Sequence, residues 1–164
     1  MVKKFLLLVL LVVAGVYAYG AILFSESGSE RFLDELETLS LQGNSKEFCD
    51  RLHEDMAVSI DDRSADPPAD IKGGKEEYCG YVAFAAKGYE LLGISTEVQR
   101  DDFTVLRSWL HPWTAEVSYQ ESRTTHMSRV NVTLKTHSDD QWTLVNTFGG
   151  VKVMRLTSET RLAQ

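Results

Sequence analysis

The sequence predicts an α+β domain set behind an apolar helix. Three patterns carry that expectation. Residues 5–24 contain no charge, apolar residues recur at helical spacing up to residue 93, and nearly everything after residue 95 alternates with a period of two. Helices first and a run of one-sided strands afterwards is the α+β order, with the strands forming an antiparallel sheet covered on one face.

The first element is "MVKKFLLLVLLVVAGVYAYGAILF". Lys3 and Lys4 precede an apolar run from Phe5 to Phe24, long enough to cross a bilayer core of ~30 Å. This is the charge pattern of a signal anchor or a signal peptide over residues 1–24, with the lysines held in the cytoplasm and the remainder exported. A small-residue cleavage site at Val16-Tyr17-Ala18 leaves cleavage and release to the periplasm as the alternative to a single pass through the inner membrane. No cysteine lies nearby for lipid attachment. A soluble core helix would carry a polar stripe, and this segment has none.

"SESG" at the start of the polar stretch "SESGSE" reads as a linker over 25–28, leaving 29–164 as one domain, a length that supports a real core. Ser27-x-x-Glu30 can form a capping box, and Phe32, Leu33, Leu36 and Leu39 define a helix over 29–41 that Gly43 ends. Asn44-x-x-Glu47 caps a short second helix with Phe48, Cys49 and Leu52 on one face and His53 at its end. "MAVSID" (56–61) alternates as a strand. Pro67 and Pro68 make 62–70 a loop. After Gly73-Gly74, the residues Tyr78, Val82, Ala85, Tyr89 and Leu92 give a long third helix closed by Gly93.

The strands follow. "FTVLRSWL" (103–110) turns at "HPW". "TAEVSYQESRTT" (114–125) places Ala115, Val117 and Tyr119 on one face, and Glu121 and Arg123 continue it. These two are either polar groups at a pocket mouth or an ion pair where the strand enters water. "RVNVTLKTH" points Val130, Val132 and Leu134 inward, "SDDQ" (138–141) turns the chain, and "WTLVNTF" points Trp142, Leu144 and Phe148 one way. "GG" leads to "VKVMRL" (151–156).

Charge and spacing exclude several functions. The chain has 17 basic and 24 acidic residues, a formal charge of −7, and its acidity disfavours nucleic acid. His53, His111, His126 and His137 are scattered and share no ligand spacing. "DDRSAD" lacks the glycine and distal glutamate of a calcium loop. No metal and no cofactor are expected. Asn131-Val-Thr fits a glycosylation sequon, relevant only to a eukaryotic secretory route.

The order of two helices, "LHEDMAVSID", a loop, "IKGGKEEYCGYV" and a meander with "QWTLVN" resembles the nuclear transport factor 2-like (SnoaL-like, cystatin-type cone) superfamily. The carrying features are Glu54-Asp55 at the entry to the first strand, Gly74 before the third helix, and Trp142-x-Leu144-Val145. The resemblance spans roughly residues 29–156. It implies three helices packed on a curved sheet, with a conical pocket between them, in a superfamily that holds enzymes, binding modules and oligomerisation domains alike.

The resemblance also locates what is missing. The oxyanion-binding tyrosine of ketosteroid-isomerase-like members falls on Leu36 and their proton-moving aspartate on Ile60. Asp61 is one residue late, and a one-residue slip turns a strand side chain to the other face unless a bulge restores it. The histidine pair of other catalytic members falls on Asn146 and Phe148, neither a base near neutral pH.

Tyr119, Arg123, Trp142 and Asn146 remain as candidate pocket residues, with Asp61 at the first strand, although the aromatics serve equally as plain core. No catalytic residue is assigned. Trp109, Pro112 and Trp113 cluster at a hairpin turn and offer a partner or dimer surface on the sheet, or pack beneath its edge. Cys49 and Cys79 are the only cysteines. In an oxidising compartment an even pair reads as a disulfide, and the implied cone makes their helices neighbours. The acidic segment 61–74 would then be a tethered connection. Two functions stand: an exported, membrane-anchored non-catalytic domain binding a small apolar ligand or a protein, and an enzyme using Asp61 or Asp62 as base with Arg123 or Asn146 holding an anion.

Overall fold

The computed structural model describes residues 2–64, 67–108 and 110–163, with the backbone alone for Val2 and Lys3. Helix α1 (Val2–Leu23) passes almost directly into α2 (Glu26–Leu41). The Ser25 hydroxyl accepts the Gly28 N–H at 3.1 Å and caps α2. Ser25 rather than Ser27 therefore starts the helix, and the stretch expected as a linker is its cap and first turn. Phe32, Leu33, Leu36 and Leu39 are buried along one face, as their spacing requires.

Gly43, at φ +72, turns the chain into α3 (Ser45–Asp50). Leu52 and His53, expected at the end of this helix, instead open strand β1 (Leu52–Asp62). Arg51 supplies the reason: its N–H closes α3 on the Phe48 carbonyl, while its own carbonyl accepts the Val153 N–H at 2.9 Å and draws the chain into the sheet. Ala69 and Asp70, expected in the loop, belong to a short edge strand β2 (Ala69–Gly73) that pairs with the end of β1. Residues 65 and 66 of that loop lie outside the described residues, as does Trp109.

Helix α4 (Lys75–Leu92) starts where the Glu77 carboxylate accepts the Gly74 N–H at 2.8 Å. It ends at Gly93 in the left-handed region, φ +61. Strands β3 (Ile94–Arg107), β4 (Thr114–Met127), β5 (Val132–Thr147) and β6 (Gly150–Leu162) form the meander. "SDDQ" is not a turn. It lies mid-strand in β5, where Ser138 to Gln141 pair on both sides. Ladder hydrogen bonds from two neighbours outweigh the turn preference of Ser and Asp. Val130 sits in the β4–β5 turn and Phe148 in the β5–β6 turn, both exposed, and Val132 is exposed at a strand end.

The sheet order is β2-β1-β6-β5-β4-β3. It is antiparallel except between β1 and β6, which run parallel because the chain returns through α4 and the whole meander before closing on β1. Register shifts at Asp101/Thr104 in the β3–β4 pairing and at Thr143/Leu144 in the β5–β6 pairing mark bulges, which bend and twist a strand. The concave face wraps α2, α3 and α4 around Phe48, Leu52, Val117, Leu144 and Val153. The expected α+β cone is the observed fold. A disulfide joins Cys49 of α3 to Cys79 of α4, with Cα atoms 5.7 Å apart, so the segment between β1 and α4 is covalently tethered as expected.

Candidate functional site

The cone encloses a cavity of about 350 Å³ between α2, α4 and the concave sheet. Its walls are aromatic: Phe48, Tyr78, Tyr81, Tyr89, Tyr119 and Trp142. Tyr119 stacks on Phe103 at 5.6 Å between ring centroids, and the Arg100 guanidinium stands 5.4 Å from the Tyr119 ring centre. Burial holds the Tyr119 and Tyr78 hydroxyls well above the usual phenol range, so both stay neutral donors. The Trp142 indole N–H is buried without a hydrogen-bond acceptor among the described residues. The Tyr119 hydroxyl lies beside it but does not meet hydrogen-bond geometry.

One wall is ionic. The Glu121 carboxylate accepts Arg123 Nε at 2.9 Å and Arg123 Nη2 at 2.8 Å, and lies 3.4 Å from Arg100 Nε. Glu37, from α2, accepts Arg100 Nη2 at 2.8 Å and stands 3.0 Å from Arg123 Nη2. Arg100 also bonds Asp34. Burial raises the pKa of Glu37, an effect that Arg123 partly offsets. Glu121 and Arg123 are therefore no solvent-facing pair at a strand end. The strands run on past them, and they form half of a network inside the cone.

Asp140 stands apart from that network. It lies on β5 between Tyr119 of β4 and Ser158 of β6 and is only 8% exposed. The Ser138 hydroxyl donates to it at 3.0 Å. Burial pushes its pKa up to about 6, against the pull of its serine hydrogen bonds. Among the described residues it is the cavity's one deeply buried carboxylate without an ion-pair contact.

Of the expected pocket residues, Tyr119, Arg123 and Trp142 line the cavity. Asn146 does not. It sits near the closed end of the sheet, where its N–H donates to the Trp113 carbonyl at 2.8 Å and its side chain faces α1. Asp61 is also outside: strand parity turns it to the outer face, where it bonds Arg63 at 2.7 Å, while Ile60 and Asp62 face inward. Asp62 is held at the rim by the Ser64 N–H at 2.8 Å and the Ser64 hydroxyl at 2.6 Å. Leu36 and Ile60 both line the cavity, so the places that resemblance assigned to an oxyanion donor and a base are apolar. Among the described residues no group of three or more His, Cys, Asp or Glu could hold a metal.

Sequence reasoning missed Arg100, Glu37 and Asp140. Asp140 continues the inward series Leu144, Trp142 backwards by two, a signal hidden when "SDDQ" is read as a turn. Glu37 continues Leu33 at i+4 on α2. Arg100 is hard to find from pattern alone. The bulge at Asp101/Thr104, with Asp102 at φ +52, switches the inward parity from Val98 and Arg100 to Phe103 and Val105.

Solved structures share this architecture. An NTF2-like protein with a cystatin-like fold from Novosphingobium aromaticivorans superposes with a TM-score of 0.55 at 16% identity, covering 81% of this chain and 86% of that one. A putative scytalone dehydratase from the same species gives 0.60 at 16% identity, covering 82% and 81%. The beta subunit of the benzoate 1,2-dioxygenase from Burkholderia mallei gives 0.64 at 9% identity, covering 84% and 91%. The chain thus has the NTF2-like, cystatin-type cone fold. No family model matches the sequence, and no curated protein matches it.

Proposed function

We propose that this protein is a membrane-anchored, extracytoplasmic binding domain whose cone takes a small amine with an aromatic or aliphatic body. The observation that carries the ligand class is Asp140. It is a buried carboxylate in an aromatic-walled cavity, it has no cation of its own, and the two guanidiniums nearby are already engaged by Asp34, Glu37 and Glu121. A cationic ammonium supplies the missing counter-charge and gains from the ring faces. A carboxylate ligand would meet surplus negative charge.

Anchoring is supported by the apolar helix Lys4–Leu23, which is almost wholly exposed apart from its last turns, and by the lysines ahead of it. The Cys49–Cys79 disulfide is the chemistry of an oxidising compartment. The test is a nuclear magnetic resonance titration of the isotope-labelled chain with small aromatic amines and with the matching carboxylic acids. The amines should shift resonances of Tyr119, Asp140 and Trp142. Shifts from the acids alone, or none from either set, would overturn the reading.

The second reading is an enzyme, and again Asp140 favours it. A carboxylate with a pKa of about 6 is matched to proton transfer near neutral pH. Asp61 and Asp62 are poorer bases: one faces outward beside Arg63, and the other is tied to Ser64.

A further inference from the structure

The closed end of the cone is apolar in a way that the cavity does not explain. Leu110, Trp113 and Phe148 sit on the β3–β4 and β5–β6 turns, and all three are exposed, Phe148 completely. The β3–β4 turn and the last residues of β5 lie against α1, and the β5–β6 turn follows directly from that end of β5. Val12, Gly15, Val16, Tyr19 and Gly20 face Pro112, Trp113 and Asn146. The approach at Gly20 is so close that a Cβ there would stand 2.5 Å from the Pro112 carbonyl oxygen.

The depth of this contact matters. With a helical rise of ~1.5 Å per residue, Val12 lies about 16 Å along the axis from Leu23, and half of a bilayer core is ~15 Å. If Leu23 marks the outer boundary of the bilayer, a turn packed on residues 12–20 lies within the outer leaflet. Its backbone is prepared for that environment: the His111 N–H donates to Ser108, Thr114 to His111 and Asn146 to Trp113. Irregular backbone at membrane depth needs such internal partners. Tryptophan is the side chain of the membrane interface.

We infer that the two turns at Leu110–Trp113 and Phe148 are seated in the outer leaflet beside α1, so that the domain is held by a wedge as well as by its anchor. The occupant of this apolar face is lipid, because the face is continuous with the apolar surface of α1. The orientation follows. Asp62, Thr125, Leu134 and Thr160 line the cavity at the opposite strand ends. From Thr114 to Thr125 along β4 is roughly 35 Å, so the mouth opens away from the membrane and admits ligand from the aqueous side.

This inference rests on the anchoring reading, and the test separates the two. The full chain is reconstituted into phosphatidylethanolamine–phosphatidylglycerol vesicles. Single spin labels are placed at Phe148→Cys, Leu110→Cys, Thr125→Cys and Val9→Cys, the native cysteines being engaged in their disulfide. Collision with oxygen reports lipid, and collision with a water-soluble nickel chelate reports water. Labels at 148, 110 and 9 should favour oxygen by several-fold, and the label at 125 should favour nickel. Tip labels that favour nickel while the label at 9 favours oxygen would overturn the wedge and leave the anchor standing. A label at 9 that also favours nickel would overturn both.

Discussion

Arg100 of β3 and Glu37 of α2 meet at 2.8 Å inside the cone although 63 positions separate them in sequence. The bond ties the second helix to the edge strand of the meander, and Glu121 and Arg123 complete the group. Removing one partner from such a buried set leaves uncompensated charge, typically at a cost of about 3–5 kcal/mol. Arg100→Met should therefore lower the urea midpoint strongly, and Glu37→Gln with Arg100 intact should lower it less. Equal midpoints for Arg100→Met and the wild type would mean that the network contributes nothing to stability.

Asp140 makes stability depend on pH. Its folded pKa of about 6 lies above the ordinary value of 3.8. A raised carboxyl pKa means that folding favours the protonated form. That contribution is full below about pH 4 and is lost as pH rises through about 6. Two units correspond to at most about 3 kcal/mol. Asp140→Asn should raise the melting temperature at pH 8 and match the wild type at pH 4. Thermal unfolding of both proteins across that range checks the sign. A variant less stable than the wild type at pH 8 would refute the assignment.

The Cys49–Cys79 bridge closes a loop across 30 positions, worth roughly 3–4 kcal/mol by the chain-entropy model. The double variant Cys49→Ala/Cys79→Ala should unfold at lower urea by that amount. Alkylation of the untreated wild type, followed by mass spectrometry, should label neither cysteine. Two labelled thiols would defeat the bridge and the oxidising compartment together.

Leu36 and Ile60 line the cavity at the two positions where the resemblance to ketosteroid-isomerase-like proteins implies polar groups. The protein should therefore leave a Δ5-ketosteroid unisomerised, with absorbance of the conjugated product rising only at the buffer rate. Turnover above that rate would contradict this.

The helices and the meander were legible because each buries a single face. Phe32, Leu36 and Leu39 repeat at helical spacing, and Ala115, Val117 and Tyr119 repeat by two. The disulfide was legible once the cone made α3 and α4 neighbours. The site was only half legible. Tyr119, Arg123 and Trp142 continue apolar faces and so point inward with them, whereas Asn146 belongs to the closed end of the same strand. Asp140 hid inside a string of turn-forming residues, and Arg100 behind a bulge. In both cases the side chain's direction is set by pairing with distant strands, which local spacing does not carry.

Whether Asp140 receives a cation in the cone is decided by isothermal titration of the full chain and of Asp140→Asn with phenethylamine, a small aromatic amine, at pH 5 and pH 7.5. The wild type should show one site whose affinity rises about tenfold from pH 5 to pH 7.5 as Asp140 ionises. Asp140→Asn should lose about tenfold or more at the higher pH, the measure of a charge-assisted hydrogen bond. An affinity that is flat with pH and indifferent to Asp140→Asn, or tighter binding of the matching carboxylic acid, would contradict it.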